Sequence, residues 1–176
     1  MLVFGTVGHF VEITRQFEVR RARARDLHAV SRLNAALQDY ERSIRPQRCK
    51  GKDLPPEYVK SMFRAQRRGD GCIFVACIPL GRVVGFLGCL LEEDVLESTP
   101  RALRITDLFV DARYRSVGIA KALIEEAQRF GSERSARGIQ VNTLAGNKLA
   151  RLAYRALGFT EYAVTYERSI SHPSHQ

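Results

Sequence analysis

Two apolar rhythms alternate along the chain, one with a period of two and one with a period near 3.6. "FEVRRA" (residues 17–22) reads as a short first strand. Asp26 then opens "DLHAVSRLNAALQDYE", where Leu27, Val30, Leu33, Leu37 and Tyr40 recur at helical spacing. A basic loop with Pro and Gly, "RSIRPQRCKGKD", leads to a second helix, "LPPEYVKSMFRAQRRG", whose prolines fall in the first turn, where they are tolerated. "GCIFVACI" and "RVVGFLGCLLEE" are rich in β-formers and joined by "PLGR", a hairpin signal. "LRITDLFV" is another strand. It runs through a basic, glycine-containing turn into an amphipathic helix ending near Phe130. "GIQVNTLA" returns to strand, "NKLARLAYRALG" to helix, and "FTEYAVTYERSI" supplies one or two closing strands.

The order β-α-α-β-β-β-α-β-α-β, free of repeats, low-complexity tracts and linkers, predicts one mixed α/β domain over residues 17–168. The strand-helix-strand between Leu103 and Leu144 is long enough for a right-handed crossover, so its strands are expected to be parallel. Residues 1–16 are expected to form an extra strand or arm and residues 169–176 a polar tail. The first lacks the basic n-region and cleavage site of a signal peptide.

Composition changes this picture little. The chain has 176 residues, enough for one domain with a proper core. No stretch approaches the roughly 20 apolar residues of a membrane span. Cys49, Cys72, Cys77 and Cys89 form no C-x-x-C pair, and His9, His28, His172 and His175 are scattered. A metal site or disulfide framework is therefore not expected, and reduced thiols point to the cytoplasm. The net charge of +9 suits polyanionic or phosphorylated ligands. Nothing resembles a nucleic-acid-binding motif, so nucleic acid is not the expected partner.

The candidate chemistry sits in the turn "RSVGIA", Arg115 to Ala120. The first amides of a helix have no intrahelical partner, and the dipole adds positive potential, which suits a phosphate. Gly118 and Ala120 keep bulk away from those amides, while Arg113, Arg115 and Lys121 flank them. The G-K-[ST] ending of a phosphate-binding P-loop and the G-x-G-x-x-G of a dinucleotide fold are both missing. Some thirty residues on, Asn147 stands where it can cap the next helix, and Tyr154 lies two turns later on the same face.

Here the chain resembles the GNAT superfamily of acyl-CoA-dependent N-acetyltransferases. The matching features are R-x-x-G-x-A at Arg115 to Ala120 after "LFV", then N-x-x-A…Y-x-x-L-G-F from Asn147 to Phe159. "ALQDYE" and "TDLFV" also resemble the polyamine (diamine) branch. The resemblance implies a twisted sheet of six or seven strands with about four helices, splayed between strands 4 and 5. It also implies that acetyl-CoA pairs there with the backbone of Leu108, Phe109 and Val110. The diphosphate would rest on the turn formed by Arg115, Ser116, Val117, Gly118, Ile119, Ala120 and Lys121, with Asn147 and Ala150 completing the coenzyme contacts.

For the reaction, direct attack of a primary amine on the thioester, the resemblance implies Tyr154 as general acid, also in contact with the coenzyme. The backbone N–H of Leu108 would serve as the oxyanion donor. The base has no assigned residue. Thr106 stands where the diamine branch carries a glutamate, and can hold a water. Asp107 points to the opposite face unless a bulge re-aims the strand. Glu41, Glu92 and Glu93 are candidates for attracting a cationic acceptor. A homodimer is expected by analogy with the family. A non-catalytic acyl-CoA-binding domain using the same turn is the alternative reading.

Overall fold

The computed structural model describes residues 17–98 and 101–168. The expectations placed on residues 1–16 and 169–176 lie outside that range. The elements are β1 (Glu18–Arg21), α1 (Leu27–Ile44), α2 (Pro56–Arg68), β2 (Gly71–Ile78), β3 (Arg82–Glu93), β4 (Arg101–Val110), α3 (Ile119–Ser132), β5 (Ile139–Val141) and α4 (Lys148–Ala156), with short 3₁₀ turns between several of them. They build one sheet in the order β1-β2-β3-β4-β5. The first three pairings are antiparallel and β4–β5 is parallel, as the crossover length requires.

Alternation along β2 and β3 splits the core into two layers. Cys72, Phe74, Leu87 and Cys89 face α3 and meet Leu123, Ala127 and Phe130. Ile73, Val75, Val83 and Phe86 face the other side and meet Val30 and Leu33 of α1 and Val59 and Met62 of α2. Prolines open α2, and Gly69 closes it at φ +87°, where its N–H reaches the carbonyls of Ala65 and Gln66. No helix among the described residues is long and apolar enough to cross a membrane.

Two features of β4 position the site. It pairs with β5 only through Leu103, Arg104 and Ile105, so from Thr106 to Val110 its β5-side edge is open. This is the splay that the family resemblance implied. Against β3, Asp107 lies opposite Gly88 and Ile105 opposite Cys89, which leaves Thr106 as the extra residue of a β-bulge. The bulge reverses the phase of the strand. Leu103 and Ile105 join the α3 layer before it, and Leu108 and Val110 do so after it. Asp107 is thereby turned toward α1 and α2.

The strand count is five among the described residues, below the six or seven expected. Residues 159–168 contain no regular structure. Their alternation is real, but Tyr162, Val164 and Tyr166 are exposed, and the three-residue β5 offers no length of edge for them to pair with. Alternation predicts a strand only where a neighbouring strand can take the hydrogen bonds.

An ion pair ties β1 to the start of α1. Arg20 makes two hydrogen bonds to the Asp26 carboxylate, at 2.7 and 3.0 Å, and the Arg23 N–H adds a third at 2.7 Å. The Arg20 guanidinium, above all, holds the Asp26 carboxyl below its usual range. A depressed folded pKa gives stability that is present above the unfolded value, about 3.9, and lost as pH falls through the folded value. Asp26→Ala is expected to cost about 2 kcal/mol at neutral pH. In urea titrations that difference from the wild type should shrink below about pH 4. A difference independent of pH would assign the loss to packing.

Candidate active site

β4 ends at Val110, and the chain enters α3 through a turn fixed at both ends. The Asp111 carboxylate accepts from the Arg113 backbone N–H at 3.2 Å and from its guanidinium at 2.9 Å, which holds the Asp111 pKa down to about 2. Ser116 (φ +63°) and Gly118 (φ +91°) then adopt the left-handed region. The first bond of α3 runs from the Ala122 N–H to the Gly118 carbonyl at 3.0 Å. Among the described residues, the N–H groups of Ser116 to Lys121 have no acceptor. Consecutive amides left open at a helix N-terminus are what a phosphate group requires, so the residues present fit a coenzyme diphosphate.

The flanking cations do not all face that turn. Arg115 folds back: its Nε donates to the Val110 carbonyl at 3.0 Å, and its guanidinium lies over the rings of Phe109 (5.5 Å) and Tyr40 (5.7 Å). Arg113 pairs with Asp111, and Lys121 lies 3.8 Å from Glu125.

α4 is tied to α1 through Asn147. Asn147 is buried and caps α4, its Oδ1 accepting from the Ala150 N–H at 3.1 Å and from the Tyr40 hydroxyl at 3.2 Å. Ala150 therefore contributes its amide to the cap. Two turns later Tyr154 is half-buried, edge-on to Phe159 with ring centroids 5.5 Å apart. Burial, aided by the Glu41 charge, pushes its phenol up to about 12. Such a phenol keeps its proton at neutral pH and has one to give.

On the α1–α2 side of β4, Asp107 is 4% exposed. Its Oδ1 accepts from Asn34 Nδ2 at 3.0 Å, and Tyr58 places its hydroxyl 3.1 Å from Oδ2 and 3.3 Å from Oδ1. Burial raises the Asp107 pKa, while hydrogen bonds from Thr106, Asn34 and Tyr58 pull against that rise. Thr106 itself is exposed, beside Gly88, whose missing side chain leaves it room.

The acidic acceptor candidates are dispersed. Glu41 pairs with Arg48, and its charge is felt at Tyr58, Asp107 and Tyr154. Glu92 and Glu93 pair with Arg104 (2.5 Å) and Arg101 (3.0 Å). They lie opposite Ala102 and Arg101, five or six residues along β4 from Asp107, which is about 17–20 Å of strand.

Sequence reasoning passed over Tyr58, Asn34, Gln38 and Arg48. A signal for two of them was present. Asn34 and Gln38 occupy the same apolar face of α1 as Val30, Leu33 and Leu37, and all five are buried. Polar residues four apart on a core-facing stripe must find partners there.

An open strand edge beside an amide-lined turn is a geometry that suits an anionic ligand. A model of the acetyltransferase (GNAT) family matches residues 22–159, and the chain belongs to that family. Among its relatives, an uncharacterized N-acetyltransferase of Methanocaldococcus jannaschii is 32% identical over 108 residues, 61% of this chain and 48% of that protein. The chain thus spans about half the length of that relative. An aminoglycoside N(6')-acetyltransferase type 1 of Stenotrophomonas maltophilia is 28% identical over 120 residues, 66% of this chain and 78% of that protein. In fold, the chain resembles a mutant of the BH1408 protein of Bacillus halodurans, with TM-score 0.75 and 22% identity over 88% of this chain and 99% of that one. It also resembles AAC(6')-Iy in complex with a bisubstrate analogue, CoA-S-monomethyl-acetylneamine, with TM-score 0.66 and 22% identity over 89% and 99%.

Proposed function

We propose that this protein is an N-acetyltransferase that moves the acetyl group of acetyl-CoA directly to a primary amine of a small polycationic acceptor. The observation that carries this is the run of acceptor-free amides from Ser116 to Lys121 beside the open edge of β4. Acetyl-CoA supplies an activated acyl group. The chain's own residues hold its diphosphate on the turn and its pantetheine arm along Leu108 to Val110. Tyr154 gives a proton to the departing thiolate.

The acceptor class rests on relatives named for aminoglycosides and on the "ALQDYE" and "TDLFV" stretches, which resemble the polyamine branch. Aminoglycosides and polyamines share several alkylamines on one small molecule. A cytosolic setting belongs to the same reading, supported by four free cysteines. So does a homodimer, supported by the exposed Leu149 and Leu152 of α4 together with Tyr162, Val164 and Tyr166. Sedimentation at micromolar concentration tests the dimer, and a monomer there removes it.

A thermal-shift titration is the first test. Acetyl-CoA and CoA are expected to raise the melting temperature to saturation, and ATP is not. Thiol release is then measured with neamine, spermidine and a peptide amine. Binding without thiol release would convert the reading into that of a non-catalytic acyl-CoA-binding domain. Tyr154→Phe is expected to lower kcat by about a hundredfold while leaving the acetyl-CoA midpoint unchanged. An unchanged kcat would remove Tyr154 from the acid role.

A further inference from the structure

A directed chain of hydrogen bonds ends at Asp107. Arg48 can only donate, so its contact with Gln38 Oε1 (3.2 Å) leaves the Gln38 amide nitrogen to donate to Asn34 Oδ1 (3.4 Å). That in turn aims Asn34 Nδ2 at Asp107, 3.0 Å away. Both amides are buried, and their orientation is set by the cation at one end and the carboxylate at the other. Asp107 is left as a pure acceptor, with Tyr58 of α2 donating to it as well, at 3.1 Å.

Asp107 is sealed, whereas Tyr58 is 39% exposed. A molecule approaching β4 from the α1–α2 side can therefore reach Tyr58, whereas the Asp107 carboxylate to which its hydroxyl is bonded is closed to it. Tyr58 stands in the first turn of α2, while Asp107 immediately precedes Leu108, where β4 opens. The charged groups facing this pair are Glu41 from α1 and Arg48 from the loop after it, themselves joined in an ion pair.

We propose that Tyr58 is a catalytic residue that passes the acceptor's proton to Asp107. A lone pair of the Tyr58 oxygen receives a proton from the alkylammonium as the hydroxyl hydrogen moves to the Asp107 carboxylate. The freed nitrogen lone pair forms the N–C bond and the C–S bond breaks. Its electron pair leaves on sulfur, which takes a proton from Tyr154; the acylated nitrogen gives up its second proton to water, and the Tyr154 phenol and the Asp107 carboxylate are later restored by exchange with water. Asn34 is a positioning residue that keeps the carboxylate oriented toward Tyr58. This inference rests on the acetyltransfer reading.

The test compares nucleophiles that do and do not need a base. Neamine and spermidine are largely protonated at neutral pH, and hydroxylamine is largely neutral. In the full chain, Tyr58→Phe is expected to lower the rate of CoA release with neamine or spermidine about a hundredfold more than with hydroxylamine. The alkylamine rates of wild type and variant should converge as pH rises toward the amine's own pKa. An equal loss with both kinds of nucleophile would overturn the relay and leave Tyr58 a structural role. No release by the wild type with any of the three would overturn the acetyltransfer reading and the relay with it.

A second readout needs no turnover. Tyr58→Phe removes a donor to the carboxylate, so the Asp107 side-chain carbon, followed by NMR, should titrate at higher pH in the variant. An unchanged titration would show that the hydroxyl does not touch the carboxylate, and would overturn the relay by itself.

Discussion

Gly118→Val is expected to abolish the acetyl-CoA-dependent rise in melting temperature at concentrations that saturate the wild type. It should also lower kcat/KM by at least about a hundredfold, or about 2.7 kcal/mol. Two effects combine. At φ +91° a residue with a Cβ is strained, by about 1–2 kcal/mol, and a β-branched one more so. A Cβ built there meets no protein atom within 4 Å, so the fold itself suffers only that strain. Gly118 lies in the middle of the amides of Ser116 to Lys121, and a valine side chain there is expected to hinder a ligand's approach to them. Gly118→Asn separates the two effects, because asparagine tolerates the left-handed region. It should recover most of the stability and little of the binding. If Gly118→Asn binds acetyl-CoA as the wild type does, backbone strain alone explains the valine variant, and access to the turn is not what Gly118 provides.

Phe86→Ala is expected to be the most damaging single truncation of the core. Phe86 is fully buried and joins Val30, Leu33, Val59 and Ile73 in the layer that seats α1 and α2 on the sheet. Removing a buried phenylalanine costs about 3–5 kcal/mol, part as lost transfer energy and part as cavity. For a chain of this size that is a fall in melting temperature of roughly 6–20 °C. The layer also carries the helices that bring Asn34 and Tyr58 to Asp107, so alkylamine turnover should fall more than acetyl-CoA affinity does. A fall below about 3 °C would show that the layer collapses to fill the space.

Much of this architecture was legible in the chain. The 3.6-residue spacing in α1 and α2, the hairpin signal between β2 and β3, and the crossover length all gave local instructions that no tertiary contact overrode. Asn147 was readable for the same reason, since a cap is a bond between near neighbours in sequence. The bulge was not. One extra residue at Thr106 leaves no mark in hydropathy, yet it decides which layer Asp107 faces. Tyr58 is hidden in a different way, because its partner is 49 residues distant. The closing strands failed because pairing depends on a neighbour, and β5 is too short to be one. Arg115 reads as a phosphate cation, but Phe109, Tyr40 and the Val110 carbonyl hold its guanidinium elsewhere.

The three residue pairs that join β5 to β4 are a narrow seam. Strand pairing holds the segment after α3 only there, its other ties including the Arg137–Arg101 backbone bond, the Tyr40–Asn147 bond and the packing of Leu157 and Phe159 on the α3 layer, so this lobe should open at a lower free energy than the global unfolding. A ligand that lies along the vacant edge works as a splint across the seam. At a hundred times its dissociation constant it adds about 2.7 kcal/mol against opening. Inside a cell the lifetime of the chain would then follow the acetyl-CoA supply. On the acetyltransfer reading, proteolysis within residues 137–168 is therefore expected to slow as acetyl-CoA is added.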